Sequence, residues 1–303
     1  MIELNISKNL KQHKQTIFLF HGVIHRHKNK IRNYNRKHIS KDDFYKFLKK
    51  IKKIGTSISM DELHYFYVNN IKMPKYSYCI TFDDGFYNNY KYAAPILDDL
   101  NIKSTFYVCS DFVQKNRMSW IDRIEAVVEN LNSGSIKFNN TELSFVNSIK
   151  SKIQFLEYIR KVIKSSKIYD PIKFADHFQK KMLNMTYDQS NDILDKKMTI
   201  KQIKSINQNK LFTVGGHSHK HKIFSQMTLN EVNNDISKSL NYFKKFLQCD
   251  IRHYSYPEGQ KDSFSNREIN ILKKKKILCC PNAVYGFNTN KTNLFNLNRV
   301  FVK

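Results

Sequence analysis

Tyr76-Ser77-Tyr78-Cys79-Ile80-Thr81-Phe82-Asp83-Asp84-Gly85 is the stretch on which the reading of this chain turns. A β-rich apolar run ends abruptly in two adjacent carboxylates and a glycine. Two acids at the C-terminal end of a buried strand are costly unless a cation sits between or beside them. In parallel α/β folds that end of the strands is where sites are built. Successive strand residues face opposite sides, but a turn at Gly85 can swing both acids toward one pocket. The alternative is that the Asp pair caps the next helix.

Working outward, short β-rich runs alternate with helical periods, the rhythm of an α/β fold with parallel strands. Strands are expected at Thr16–Phe20, Tyr76–Phe82, Lys103–Cys109, Leu211–Val214, His253–Tyr256 and Ile277–Cys280. Helices are announced by capping boxes, in which a hydroxyl and an acid or amide three residues later satisfy free N–H groups. These are Ser40 with Asp43, Thr199 with Gln202, Thr228 with Glu231 and Ser265 with Glu268. From about Ser119 to Asp195 the rhythm breaks. Phe145, Ile149, Ile153, Leu156, Ile159 and Ile163 recur at helical spacing, and no strand is evident. The expectation is one domain over residues 1–303 with a mainly helical insertion at about 119–195, a lid or a partner surface.

A second chemical stretch, Gly215-Gly216-His217-Ser218-His219-Lys220-His221, follows the strand Leu211–Val214. Histidines four apart can grip one metal from a helical turn or tight loop. The spacing alone is weak, because 11 histidines in 303 residues give about 0.4 such pairs by chance. His21 and His25 form another. Context strengthens the pair, since its strand-to-loop placement matches that of the Asp pair. One Asp and two His leave coordination positions open for water and substrate, the pattern of a catalytic metal site.

With these residues in place the sequence resembles the polysaccharide deacetylase family, that is, the NodB homology domain of carbohydrate esterase family 4. Thr81–Gly85 looks like the family's T-F-D-D-G motif, and His217-Ser218-x-x-His221 looks like its H-S/T-x-x-H motif. Tyr254-Ser255-Tyr256-Pro257-Glu258-Gly259 resembles the third motif in a form where Tyr-Pro replaces Arg-x-Pro. Phe20-His21-Gly22-Val23 and Leu297-Asn298-Arg299-Val300 are similar to the first strand and the ending of one branch. The resemblance covers about Ile17–Phe112 and Thr199–Lys303.

It implies a distorted (β/α) barrel with one divalent metal, zinc foremost, with cobalt, nickel or manganese as alternatives. Asp84, His217 and His221 would be its ligands and Asp83 the general base. Such an ion polarises a carbonyl and brings its water toward a pKa of ~7, so that a carboxylate takes the proton. Asp83 beside that cation would stay ionised, as a base must. The oxyanion also needs a backbone N–H, for which the Pro257-Glu258-Gly259 turn is the candidate, with Tyr256 on the same substrate side. Two departures stand out. The C-terminal Leu-x-x-His that supplies an acid in many members is absent, and His21 is the substitute considered. Ser255 stands where the third motif usually has Arg, and Arg299 is the candidate for the missing charge near Asp83. Glu258 replaces a usual Tyr. Trp120, the single tryptophan, is a candidate sugar platform, with a core anchor as the plainer alternative.

The implied activity is removal of an N-acetyl group from an amino sugar of a glycan or glycan precursor. The alternatives are a deformylase or other amidase with the same metal chemistry, and an inactive basic binding protein. A formal net charge of +26 suggests nucleic acid at first sight. Yet 43 Lys stand against 9 Arg, and Arg is the residue that reads phosphates and bases bidentately. Scattered Lys implies weak attraction to anionic surfaces, a membrane face included, and no specific nucleic acid. Five cysteines with no C-x-x-C spacing fit a reducing compartment and argue against a disulfide framework. Met1–Gln15 is polar, and Ile17–Phe20 is too short for a signal core, so a cytoplasmic location is expected, peripheral at the inner membrane face if surface charge holds it there. His25-Arg26-His27-Lys28 reads as a solvated loop.

Overall fold

The computed structural model describes residue 10 and residues 14–25, 31–138, 141–165 and 170–302. Arg26, His27 and Lys28 lie outside the described residues, as does most of the polar Met1–Gln15 stretch. Six strands form one sheet in the order β8-β5-β4-β1-β10-β9. They are β1 (Thr16–Phe20), β4 (Tyr78–Phe82), β5 (Ser104–Val108), β8 (Phe212–Gly216), β9 (Pro281–Tyr285) and β10 (Leu297–Phe301). All neighbours in it run parallel. Single parallel bridges, Gly216 to Tyr254 and His253 to Cys279, carry the ring from β8 to the residues before β9 and close the barrel. The result is the distorted (β/α) barrel that the resemblance implies.

Two expected strands are absent as strands. His253–Tyr256 and Ile277–Cys280 do not form strands; each contributes isolated bridges, and the regular strand begins at Pro281. Closure falls to these segments, where the curvature leaves room for single pairings and the ladder cannot run on.

Strands β1, β4 and β5 are buried at every position, as strands covered on both faces are. In register across them lie Phe20, Phe82 and Phe106. Phe20 stacks on Phe82 with ring centroids 5.4 Å apart, and Phe82 on Phe106 at 5.0 Å. Phe44 and Phe47 of helix α1 (Lys41–Ile54) cap this ladder edge-on. Each such pair adds about 1 kcal/mol beyond burial. Because strand residues alternate, seating Phe82 against the helices turns Thr81 and Asp83 toward the barrel interior. The aromatic ladder thereby aims the site.

After helices α2 (Met60–Val68), α3 (Ala94–Asp99) and α4 (Ser110–Lys115), the insertion contains α5 (Trp120–Asn130), α6 (Ile149–Ser165) and α7 (Pro171–Leu183). Their buried faces share one apolar cluster, which includes Ile124, Phe155, Ile159, Phe174 and Phe178. Contrary to expectation it also holds an antiparallel hairpin, β6 (Gly134–Phe138) with β7 (Thr141–Phe145). Phe145, placed at the head of the helical period, belongs to β7, and the helix starts at Ile149. Leu143 and Phe145 follow a period of two, which the longer helical pattern masked. A small parallel pair, β2 (Gly22–Ile24) with β3 (His38–Ser40), stands beside the barrel mouth. No helix among the described residues is long and apolar enough to cross a membrane.

Candidate active site

Asp83 leaves β4 with its N–H bonded to the Phe20 carbonyl at 3.0 Å, so its side chain continues the inward face. Asp84 then adopts φ 72°, followed by Gly85 at the same value. Two left-handed residues in succession turn the chain so that Asp84 meets the same pocket instead of capping a helix. Left-handed backbone recurs at Ser218, His221 and Glu258. Non-glycine residues held there cost energy and persist where the surroundings over-determine them, commonly at sites.

The His217–His221 loop is held by its own polar contacts. Ser218 Oγ accepts the His221 N–H at 2.7 Å. The carboxylate of Asp235 accepts the N–H groups of His219 and Lys220 at 2.7 and 3.1 Å. Phe112 stacks on the His221 ring, centroids 5.7 Å apart. His217 Nδ1 lies 2.9 Å from the Ser255 carbonyl. A carbonyl only accepts, so Nδ1 carries the proton and neutral His217 presents the lone pair of Nε2 to the pocket.

Three ligand atoms converge there. Asp84 Oδ1 lies 3.2 Å from His221 Nε2 and 3.4 Å from His217 Nε2, and the three donors fall within 4.8 Å of one another. Asp84 Oδ1 is buried and receives no well-formed hydrogen bond from the described residues. Burial lowers the His217 pKa, but Asp83 and Asp84 outweigh it and the net direction is up. A field that favours a proton on His217 equally favours a divalent cation at the same point. Two imidazoles and one carboxylate suit a zinc-class ion with open positions. The residues fit the metal that the resemblance implies.

Beside them Asp83 meets Arg299 face to face. Arg299 Nη1 donates to Asp83 Oδ1 at 2.9 Å and Nη2 to Oδ2 at 2.7 Å, a bidentate pair with Arg299 1% exposed. Nη2 also donates to Ser255 Oγ at 3.0 Å, and Nε is bonded to the Asn282 carbonyl. Burial pushes Asp83 up, but the Arg299 guanidinium wins and holds it below the usual carboxylate range. Ser255 is small where an Arg was expected, and the guanidinium reaches the same carboxylate from β10 instead.

His21 lines the same cavity of about 360 Å³ as Asp83, Asp84, His217, His221, Trp120 and Glu258. Burial lowers its pKa to about 4, against the opposing pull of Asp84 and Asp83, so it is a neutral imidazole near pH 7. Its Nδ1 is buried without a hydrogen-bond partner among the described residues. Trp120 is both wall and anchor, 8% exposed and packed in the insertion's apolar cluster. Glu258 pairs with Lys164, from the last turn of α6, at 2.5 Å. These two also border a second cavity of about 230 Å³ between the insertion and the barrel.

Tyr256 and Pro257 are placed otherwise than expected. Tyr256 is buried, its ring stacked on Phe264 at 3.7 Å and its hydroxyl donating to the Phe295 carbonyl at 2.9 Å. Its side chain therefore serves packing. Neither residue lines the cavity. Within the turn, the Gly259 N–H is taken by the Pro257 carbonyl at 2.7 Å, and proline has none. Glu258 is left as the turn's donor, its N–H without an acceptor among the described residues. Lys37, Arg160 and Lys164 line the cavity and were not singled out. Among 43 lysines no spacing marks those that fold inward.

A sequence profile of the polysaccharide deacetylase family matches residues 70–164 and 174–277. No curated protein matches by sequence alone. Among solved structures, the Streptococcus pyogenes deacetylase PplD in complex with acetate superposes with a TM-score of 0.62 at 16% identity, over 96% of this chain and 93% of that one. IcaB from Ammonifex degensii gives 0.62 at 16%, over 97% and 94%. The BpsB deacetylase domain from Bordetella bronchiseptica gives 0.57 at 13%, over 97% of each chain. At these identities the likeness is one of fold.

Proposed function

This chain belongs to the polysaccharide deacetylase family, and we propose that it is a metal-dependent hydrolase removing an N-acetyl group from an amino sugar of a glycan or glycan precursor. The observation that carries the proposal is the meeting of Asp84, His217 and His221 beside a carboxylate, Asp83, that Arg299 keeps ionised.

Asp84, His217 and His221 would hold the ion. When bound, it supplies Lewis-acid polarisation of the acetyl carbonyl and a water acidic enough to lose a proton near neutral pH. Asp83 accepts that proton. Its ionised state, secured by two charge-assisted hydrogen bonds from Arg299, is what a base requires at pH 7. The Ser255 carbonyl fixes the His217 tautomer, keeping Nε2 from turning away. The N–H of Glu258, without an acceptor among the described residues, is the protein's candidate donor to developing negative charge on the acetyl oxygen. His21, neutral in the resting site, faces the cavity where the amine must leave; the proton it would pass to the amine is the one that Asp83 takes from the water.

The test measures bound metal and acetate release from a panel of N-acetylglucosamine-containing substrates, wild type against Asp83→Asn. The expected outcome is stoichiometric metal in both and acetate from wild type alone. Metal in both without acetate from any substrate would reject the assigned reaction. Formate release from N-formyl sugars, faster than acetate from their N-acetyl counterparts, would reassign the acyl group. No metal in wild type would reject the site.

A further inference from the structure

Lys37 reaches the base of the site from the loop before β3. Its Nζ lies 3.0 and 3.1 Å from the two Asp122 carboxylate oxygens, 3.8 Å from Asp84 Oδ2, and 4.6 Å from the centre of the Phe86 ring. The two oxygens of Asp84 therefore face different partners. Oδ1 looks at the two imidazoles, whereas Oδ2 looks at an ammonium. Set between the Asp122 and Asp84 carboxylates, the ammonium is their counter-charge.

Its placement is not left to a flexible side chain. Asn33 and His38 exchange two hydrogen bonds across the loop at 2.8 and 2.7 Å. Glu129 of α5 accepts the N–H groups of Ile31 and Arg32 at 3.0 and 3.3 Å. Asp122 is itself set in the first turn of α5, where its N–H donates to the capping Ser119 Oγ at 3.2 Å. The helix thus fixes the loop by its last turn and the lysine by its first. A purely structural ion pair would need only Asp122. It would not need to lie in the cavity wall within ion-pair distance of Asp84.

We infer that Lys37 is a positioning residue for Asp84. By occupying Oδ2 electrostatically, it leaves Oδ1 alone to the metal and keeps a coordination position open for substrate. Second partners of this kind orient a ligating carboxylate and set how much charge it yields to the ion. The helical insertion is then coupled to the metal centre through Asp122 and Lys37. The inference rests on the assignment of Asp84 as a metal ligand in the preceding section.

Removing Lys37 takes a positive charge from beside the ion and frees a second Asp84 oxygen, so metal should bind more tightly while turnover falls. The experiment measures Zn²⁺ dissociation constants by chelator competition, visible spectra of the Co²⁺-loaded protein, and kcat and KM. It compares wild type, Lys37→Met and Lys37→Arg. In Lys37→Met, Zn²⁺ affinity should rise about tenfold from the lost charge repulsion. Its Co²⁺ bands should weaken as coordination number rises, and kcat should fall about tenfold with KM little changed. Lys37→Arg keeps the charge and should restore wild-type affinity and spectrum. If Asp122 without its partner prevents folding, Lys37→Met with Asp122→Asn removes that burden; a smaller rise in affinity is expected, since a carboxylate leaves with the ammonium, and the same change in the Co²⁺ bands, because Asp84 Oδ2 is freed all the same. Unchanged affinity and spectrum in either neutral variant would overturn the inference, as would weaker binding. Wild type that binds no metal would instead reject the Asp84 assignment, before any variant is compared.

Discussion

Replacing Arg299 by Met removes both hydrogen bonds to Asp83 while keeping most of the buried side-chain volume. Asp83 is 4% exposed and Arg299 1%, so no water substitutes for the guanidinium. Breaking a buried pair from one side costs about 3–5 kcal/mol when the remaining charge stays ionised. Asp83 has an escape, which is to take up a proton. From its ordinary carboxylate value of 3.8, protonation at pH 7 costs roughly 4 kcal/mol, and this caps the loss. The cap shrinks as pH falls, giving the prediction its sign. In wild type the Asp83 pKa is depressed, so its stabilisation is present above the unfolded value and is lost as pH falls through the folded one. In Arg299→Met burial prevails, the pKa rises above the unfolded value, and stability is instead lost as pH rises. Urea unfolding of metal-free protein should therefore show a deficit of about 3–4 kcal/mol at pH 7 that narrows toward pH 4.5. The acid limb of kcat/KM in the metal-loaded variant should move upward, because the base ionises later. A deficit below about 1 kcal/mol, or one independent of pH, would refute the reasoning, for Asp83 would then not depend on Arg299.

Three further outcomes are expected. His217→Ala should lower metal affinity at least about a hundredfold while leaving the far-ultraviolet circular dichroism unchanged, and retention of stoichiometric metal on dialysis would contradict the ligand assignment. In metal-free protein the His21 ring should titrate near 4 by NMR. Because its folded pKa is depressed, stability should decline as pH falls from the unfolded 6.5 toward 4, by up to about 3 kcal/mol in a difference against His21→Gln. Gly216→Ala would place a methyl group 2.4 Å from the Tyr254 ring, so a melting-temperature loss of about 5–15 °C is expected with the barrel closure strained.

Four of the six barrel strands were legible because each is a short apolar run bounded by polar turns, whereas Pro281–Tyr285 and Leu297–Phe301, with polar residues inside them, were not expected. Thr16–Phe20 matches the structure residue for residue, and the strands ending in Phe82, Val108 and Gly216 depart only at their ends. The Asp and His motifs were legible for a related reason. A site at the ends of parallel strands leaves its ligands beside local signals, a buried run followed by acids or by a glycine pair. The hairpin at 134–145 escaped notice because its alternation is short and partly solvent-facing, with Ile136 and Phe145 as its buried apolar contacts. The closing segments read as strands because apolar runs look alike whether they pair along their length or at one point.

Local pattern thus determined that the chain is an α/β fold with parallel strands and where its carboxylates and imidazoles stand along them, while the barrel was implied by the family resemblance of its motifs. Which of those groups act on one another was decided only by the fold. Arg299, which the sequence offered only as a candidate for the charge near Asp83, meets it across 216 positions, and Lys37 meets Asp122 across 85. No spacing rule spans such distances. Burial then gives those contacts their force, since an ammonium or guanidinium on a solvated face would scarcely shift a neighbour, whereas in the barrel mouth it sets whether a carboxylate is charged. Tyr256 shows the converse. Its motif promised the substrate side, but the stacking of its ring on Phe264 turned it into the core.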